Sequence, residues 1–434
     1  MKEVNSMISS KKYFSINVKA IWMQLKREPV YFWLFCGYLF FEYIRPQSIY
    51  TVIDILPWAK FLVIGALIGC FLSKEVVTTP CALTKYYWGL VVAVFLSSVF
   101  AEFPKLAFND FNMVINWLIV YYLFIRIVTT KFRFFVVMLL ILLASYKMSQ
   151  HAAISWARRG FSYEAWGITG GQGFFGNAAD LGVQMLIILP LSLVLITACH
   201  SYWGGLKKLF FIIFPISVVM AIVATGERNT LVGLAAMCVV GTLTLRNRLR
   251  NVLILTVFAI CLITVMPQAS LNRFDTAGTD GTSLARLTYW KRGIEFFKDN
   301  PVLGIGYNNW VPYYQKYYPG ESMRKEHQEV AHSTPITVLA ELGLLGFIFY
   351  YGIALRTISV NLRSIKLSRL NSERIWRDIP FALNIGLVGL LAASMFISIT
   401  FYPFMFIQAS LSAALYNILV RERRKSAQIP CPAE

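Results

Sequence analysis

Apolar runs of roughly sixteen to twenty-two residues, separated by short polar breaks, fill most of this chain. Twelve can be counted, at about 30–45, 58–73, 85–101, 112–128, 132–147, 178–199, 206–224, 228–245, 251–266, 333–355, 380–399 and 401–420. Runs of this kind predict transmembrane helices. Several are shorter than the usual span of roughly 20 residues, so their flanks are expected to extend them. The pattern predicts an all-α polytopic membrane protein, one integral membrane domain over 1–434 with no internal repeat. Two longer polar stretches interrupt it, 148–175 and 267–331. A third, 356–379, is basic and is expected to be helical and to lie at the headgroups. The first 27 residues are basic and mixed, without the apolar core and small-residue site of a cleavable signal.

Composition excludes a soluble domain: 57% of the 434 residues are hydrophobic, only 15% are charged, and the mean hydropathy is +0.58. Charge then predicts orientation. With the N-terminus inside, 26 of the 41 Lys and Arg residues fall on the inner side. Most of the others lie in the two long loops, which the positive-inside rule does not count. Both termini are therefore expected in the cytoplasm, with 148–175 and 267–331 as periplasmic loops. The net charge of +19 follows from this bias and from attraction to anionic headgroups, without nucleic acid. None of the seven cysteines falls in an expected outer loop, so no disulfide framework is implied and all are read as packing or inert thiols.

Ionisable residues inside apolar helices are costly and point to function. Glu42, Lys147, Asp180, Arg228, His332 and Glu341 all fall in the outer halves or ends of the expected helices. None marks a midplane site reachable from both sides, as a transporter would tend to require. A polar cavity open to the outer leaflet suits them better, with Glu42 and Lys147 as simple helix-end charges. His332 stands where the long loop becomes an apolar helix, in EHQEVAHSTPITVLAELGLLGFIFYY. Arg228 opens a helix in the short turn TGERNT, where a guanidinium suits a two-pronged phosphate contact or a lipid headgroup. In the large loop, SLARLTYWKRGIEFFKDN predicts an amphipathic helix with Ser283 as N-cap. Its apolar stripe is Leu287, Trp290, Ile294 and Phe297, leaving Arg286 off the stripe and able to face a cavity. PVLGIGYNNW reads as an ordinary glycine turn. Trp310, Tyr313, Tyr314, Tyr317 and Tyr318 suit either sugar stacking or an interface belt. Glu326, His327, Glu329 and His332 could pass for metal ligands, but the histidines are five apart, not four, and a metal-free site is expected. Asp275 and Asp280 read as a glycine-rich turn, and His151 and His200 carry no motif.

These blocks, in this order, resemble the O-antigen ligase family within the bacterial polysaccharide ligases and polymerases. The resemblance rests on the arginine turn Thr225–Arg228 and on R-x-x-x-W then P-x-x-G-x-G, at Arg286, Trp290, Pro301, Gly304 and Gly306. It rests also on a histidine opening a helix with E-x-G-x-x-G, at His332, Glu341, Gly343 and Gly346, and on GNAADLG at Gly176–Gly182. Two positions depart from the family pattern: Gly226 and Glu227 stand before Arg228, and Ser333 follows the histidine where Asn is common. FEYIRPQSIYTVIDILPW is similar to a subgroup associated with exosortase gene clusters, which leaves the acceptor open. The resemblance implies transfer of a polysaccharide from undecaprenyl pyrophosphate to a hydroxyl of lipid A–core oligosaccharide. It implies a Gram-negative inner membrane with the site facing the periplasm, and no cofactor, since the donor is already activated. In that reading His332 is the general base, and Arg228 and Arg286 hold the donor diphosphate. Arg158 and Arg159 are expected to meet acceptor phosphates. Asn177, Asp180 and Tyr307 bind substrate or shape the site, or Asn177 and Asp180 merely cap their helix; Glu341 reads more as a buried structural carboxylate than as a second acid. A polymerase, a protein O-oligosaccharyltransferase and, from another class, a transporter remain as alternatives.

Overall fold

The computed structural model describes residues 13–73, 81–162, 167–171, 173–244, 253, 281–321, 330–369 and 373–427. Among these the chain is helical throughout, without a strand. After α1 (Val18–Leu25) come α2 (Val30–Tyr43), the single turn α3 (Pro46–Ile49), α4 (Trp58–Leu72), α5 (Thr84–Val99), the short α6 (Pro104–Asn109) and α7 (Phe111–Ile127). The central helices are α8 (Lys131–Arg158), α9 (Ala178–Cys199), α10 (Gly205–Ala224) and α11 (Arg228–Thr244). In the large loop lie α12 (Gly281–Asp299) and α13 (Trp310–Tyr317); α14 (Thr334–Ser368), α15 (Ile375–Ser394) and α16 (Pro403–Ala427) close the chain. Among the described residues, seven helices are long and apolar enough to cross a membrane, and α4 and α11 are shorter apolar helices. The chain is thus a multi-pass membrane protein. The apolar segment at 251–266, apart from residue 253, lies outside the described residues; each of the other eleven coincides with a helix.

Two helices outrun the expected boundaries by more than ten residues. α8, whose N-cap Thr130 accepts from the Arg133 amide at 3.2 Å, continues past 147 to Arg158. α14 runs on through the basic stretch to Ser368, because a polar face of Thr357, Asn361, Ser364 and Ser368 is buried there. Asn361 Nδ2 donates to Asn384 Oδ1 of α15 at 2.9 Å, in a membrane setting where such a pair needs its partner. The last two apolar runs were expected to join almost directly. Instead α15 ends at Ser394 and α16 starts at Pro403, leaving an eight-residue turn, 395–402.

α9 is apolar on every side and forms the centre of the bundle, buried almost without interruption from Ala178 to Leu191. α15 lies along it, and Gly386 makes room: a Cβ there would come within 3.2 Å of the Ile187 carbonyl oxygen. α11 crosses α15 at Gly233 and Gly389, where small residues bring the backbones together. α16 is enclosed by α7, α8 and α14. The outward face of α10, with Leu206, Leu209, Ile213 and Ile216 exposed, is what a helix in lipid requires.

The loop helices have their own small core. Tyr289, Phe296, Trp310 and Tyr314 are buried together, with Phe296 centred 5.3 Å from Trp310 and 4.8 Å from Tyr313. Most of the aromatic run is therefore packing, and only Tyr317 is substantially exposed. The inward stripe of α12 is Tyr289, Gly293 and Phe296, while Leu287 and Ile294 are exposed, which corrects the stripe expected from periodicity. Close approach explains the choice: a Cβ on Gly293 would lie 2.3 Å from Ile336 and 2.9 Å from Trp310. Ser283 sits within the first turn, since the helix already runs at Gly281.

Candidate functional site

Two glycine motifs lock together by their backbones. α14 breaks at Gly343, whose φ of 60° and ψ of −163° only glycine adopts freely. The segment 301–306 fills the break. Ile305 N donates to the Ala340 carbonyl at 2.9 Å, Gly306 N to the Glu341 carbonyl at 3.1 Å, and Leu344 N to the Pro301 carbonyl at 2.8 Å. Contact is so close that a Cβ on Gly304 would lie 2.3 Å from the Glu341 carbonyl carbon, and one on Gly343 would lie 2.4 Å from Val302 O. Ser97 of α5 donates to the same Glu341 carbonyl at 2.8 Å. The Glu341 carboxylate is buried and accepts from the Trp310 amide at 3.0 Å. Tyr307, also buried, packs edge-on to Phe401 with centroids 5.1 Å apart. Next to it Asn309 Oδ1 accepts from Phe103 N at 2.7 Å. The base of the large loop is thereby clamped between α5, α6 and α14.

That clamp fixes the turn bearing His332. His332 is half-buried in the left-handed region, φ 47°, immediately before α14. Its neighbours are pinned on both sides. Trp290 Nε1 of α12 donates to the Ala331 carbonyl at 3.0 Å, and Ser333 N donates to Ser398 Oγ at 3.2 Å. Thr334 Oγ1 donates to the Ile397 carbonyl at 2.6 Å and accepts from Ile399 N at 3.1 Å. Arg286 lies one helical turn before Trp290, on the same face of α12 and so on the side that meets the His332 turn. Trp290 also rests 6.0 Å from Phe396, in the turn between α15 and α16.

Arg228 comes to the same end from another direction. Gly226, at φ 66°, makes the tight turn out of α10, and Arg228 opens α11. α11 runs antiparallel to α15: Gly233 meets Gly389 and Ala393, whereas Met237 meets Gly389. Arg228, five residues before Gly233, therefore lies about 7 Å further along, level with the 395–402 turn. The GNAADLG block packs onto this arginine turn. A Cβ on Gly182 would lie 2.2 Å from Thr230, and Asp180 is buried within electrostatic reach of Glu227 and Tyr402. Asn177 caps α9 by accepting from Ala179 N at 3.2 Å.

The elements that carry His332, Arg228 and Arg286 thus meet at one end of the bundle around residues 395–402. Arg158 and Arg159 are exposed at the C-terminal end of α8. Glu326, His327 and Glu329, like Asp275 and Asp280, lie outside the described residues. The organising turn, above all Ser398 and Tyr402, went unnoticed in the sequence because nothing in SMFISITFYPF marks it except Pro403 at the next helix start. An imidazole at the end of a membrane bundle can take a proton from a neutral hydroxyl, and arginines on the elements that meet there can hold a phosphate leaving group. Residues 210–351 match the family model Wzy_C, described as O-antigen ligase, and so include Arg228, Arg286, the glycine clamp and His332. No curated protein matches the chain.

Proposed function

We propose, from the match of residues 210–351 to the O-antigen ligase model, that the chain is a member of that family and a glycosyltransferase acting on a lipid-linked donor. It moves a polysaccharide from undecaprenyl pyrophosphate to a hydroxyl of lipid A–core oligosaccharide, at the periplasmic face of a Gram-negative inner membrane. The observation that carries this reading is the Trp290–Ala331 hydrogen bond, which ties the helix of Arg286 to the turn of His332. In the reaction the acceptor oxygen attacks the anomeric carbon of the donor's first sugar. The carbon–oxygen bond to the diphosphate breaks, and undecaprenyl pyrophosphate leaves. His332 takes the acceptor proton, and Arg228 and Arg286 balance the charge that grows on the leaving diphosphate. An amphipathic donor explains why these groups sit at a helix end and not in a pore.

The break in α14 at first suggests the alternative class, since discontinuous helices mark transporter sites. In transporters the freed backbone groups face substrate or ions. Here they bond to residues 301–306, which weighs against transport. A direct test mixes the purified protein in nanodiscs with undecaprenyl-pyrophosphate glycan and lipid A–core. Release of undecaprenyl pyrophosphate with a matching mass gain on lipid A–core is the expected result. Glycan lengthening on the lipid carrier, or no transfer to either, would reject the reading.

A further inference from the structure

Arg45, in the FEYIRPQS run that the proposed mechanism leaves unused, stands at the same end of the bundle. It follows α2 and holds a left-handed backbone, φ 49°, which a non-glycine residue adopts only at a cost in energy. Its guanidinium folds back onto the loop that leads into α9. A Cβ on Gly173 would lie 2.0 Å from Arg45 Cζ and Nη1, so the loop carries glycine where the arginine presses against it. Gly173, at φ 85°, lies four residues before the α9 cap Asn177. Arg45 Cζ lies 5.9 Å from the Phe174 ring, which packs 5.4 Å from Tyr402. Tyr402 belongs to the turn whose Ser398 holds the backbone beside His332. The charge is incompletely answered: Glu42 comes within 3.6 Å of Nη2, and Arg45 Nε is buried without a hydrogen-bond partner among the described residues.

The residues just after Arg45 indicate where a ligand would come from. Ile49, Tyr50, Val52 and Ile55 are all exposed by half or more, along a stretch made of a single helical turn, a short 3-10 turn and the residues beside them. A polar loop would not present such a surface to water, whereas an apolar lip at the membrane interface would present it to lipid. Arg45 therefore sits between a lipid-facing edge and the aromatic wall leading to the His332 turn. We propose that Arg45 binds a lipid-borne phosphate at the lateral entrance of the site, and that this phosphate belongs to the polyprenyl diphosphate donor. For the identity of the donor this rests on the transferase reading above. The other source of the same chemistry is an anionic phospholipid.

Native mass spectrometry of the full-length protein from phosphatidylcholine nanodiscs separates these cases, with undecaprenyl pyrophosphate or phosphatidylglycerol titrated in. Arg45→Gln is expected to weaken undecaprenyl pyrophosphate retention about tenfold, the loss of one charge-assisted hydrogen bond. Arg45→Lys should fall between, and Glu42→Gln, which removes the competing carboxylate, should strengthen retention. Phosphatidylglycerol retention should stay unchanged. If only phosphatidylglycerol retention falls, the donor assignment is overturned and a phospholipid site takes its place. Unchanged retention of both lipids in Arg45→Gln and Glu42→Gln overturns the inference altogether. Should Arg45→Gln fail to fold, the Glu42→Gln increase decides alone. Wild-type protein that retains no undecaprenyl pyrophosphate would instead reject the transferase reading, and with it the donor assignment.

Discussion

His332 combines two demands that different substitutions separate. Its φ of 47° asks for a residue at ease in the left-handed region, and its ring is the proposed base. Asparagine tolerates that backbone better than alanine, which carries a penalty of about 1 kcal/mol. His332→Asn is therefore expected to unfold at nearly the wild-type temperature while losing transfer, and His332→Ala to lose both transfer and some stability. Thermal unfolding in detergent alongside a transfer assay checks this; retained transfer in the asparagine variant would remove His332 from the role of base. Glu341 carries the opposite expectation. Glu341→Ala strands the buried Trp310 amide and should cost about 1–3 kcal/mol, whereas Glu341→Gln keeps an acceptor and should cost less. Equal melting temperatures for the two variants would show that the Trp310 contact contributes little.

At the scale of elements, the clamp of 301–306 into the broken α14 sets the height of the large loop above the bundle. Gly343→Ala meets both a forbidden backbone and the Val302 carbonyl at 2.4 Å, so a loss of at least about 3 kcal/mol is expected. A melting temperature near wild type would contradict the clamp. A second fastening holds α12 to the segment that follows α13. Arg292 bonds Glu321 and Glu295, with 3.0 Å from Nε to Glu321 and 2.6 Å from Nη1 to Glu295. These hydrogen bonds hold both carboxyls below the ordinary glutamate range. Because the folded values lie below the unfolded ones, the fastening is at full strength at neutral pH. It weakens as pH falls below the ordinary value of about 4.3 and through the folded values. Amide exchange across α12 and α13 should therefore speed up on acidification, and Arg292→Met should abolish that pH dependence. The helices themselves were readable from apolar runs, because length and apolarity suffice to define them. The clamp was not, because P-x-x-G-x-G and E-x-G lie forty residues apart and meet only through backbone atoms. Nor was the inward stripe of α12, where Gly293, without any side chain, marks the packed face better than Leu287 and Ile294 do.

In the whole molecule, one end of a helical membrane bundle becomes the proposed transferase site, assembled from α9, α11, α12 and α14 around residues 395–402. The motif blocks that carried the resemblance are neighbours in space: the arginine turn with GNAADLG, and the two glycine motifs with each other. The residue types of that site were legible because ionisable groups are rare in apolar sequence. Its organising turn was not, since serine and tyrosine near a helix end carry no signal of their own. Orientation in the membrane and the identity of donor and acceptor rest on function and not on geometry. The most direct measurement is therefore made in a Gram-negative strain deleted for its own ligase. The wild-type chain and His332→Asn are expressed there at equal levels, and lipopolysaccharide is resolved on a gel. A ladder of long chains on lipid A–core is expected with the wild-type chain and none with His332→Asn. Glycan remaining on the lipid carrier with the wild-type chain, or equal ladders from both, would contradict the proposed transfer and the role of His332 in it.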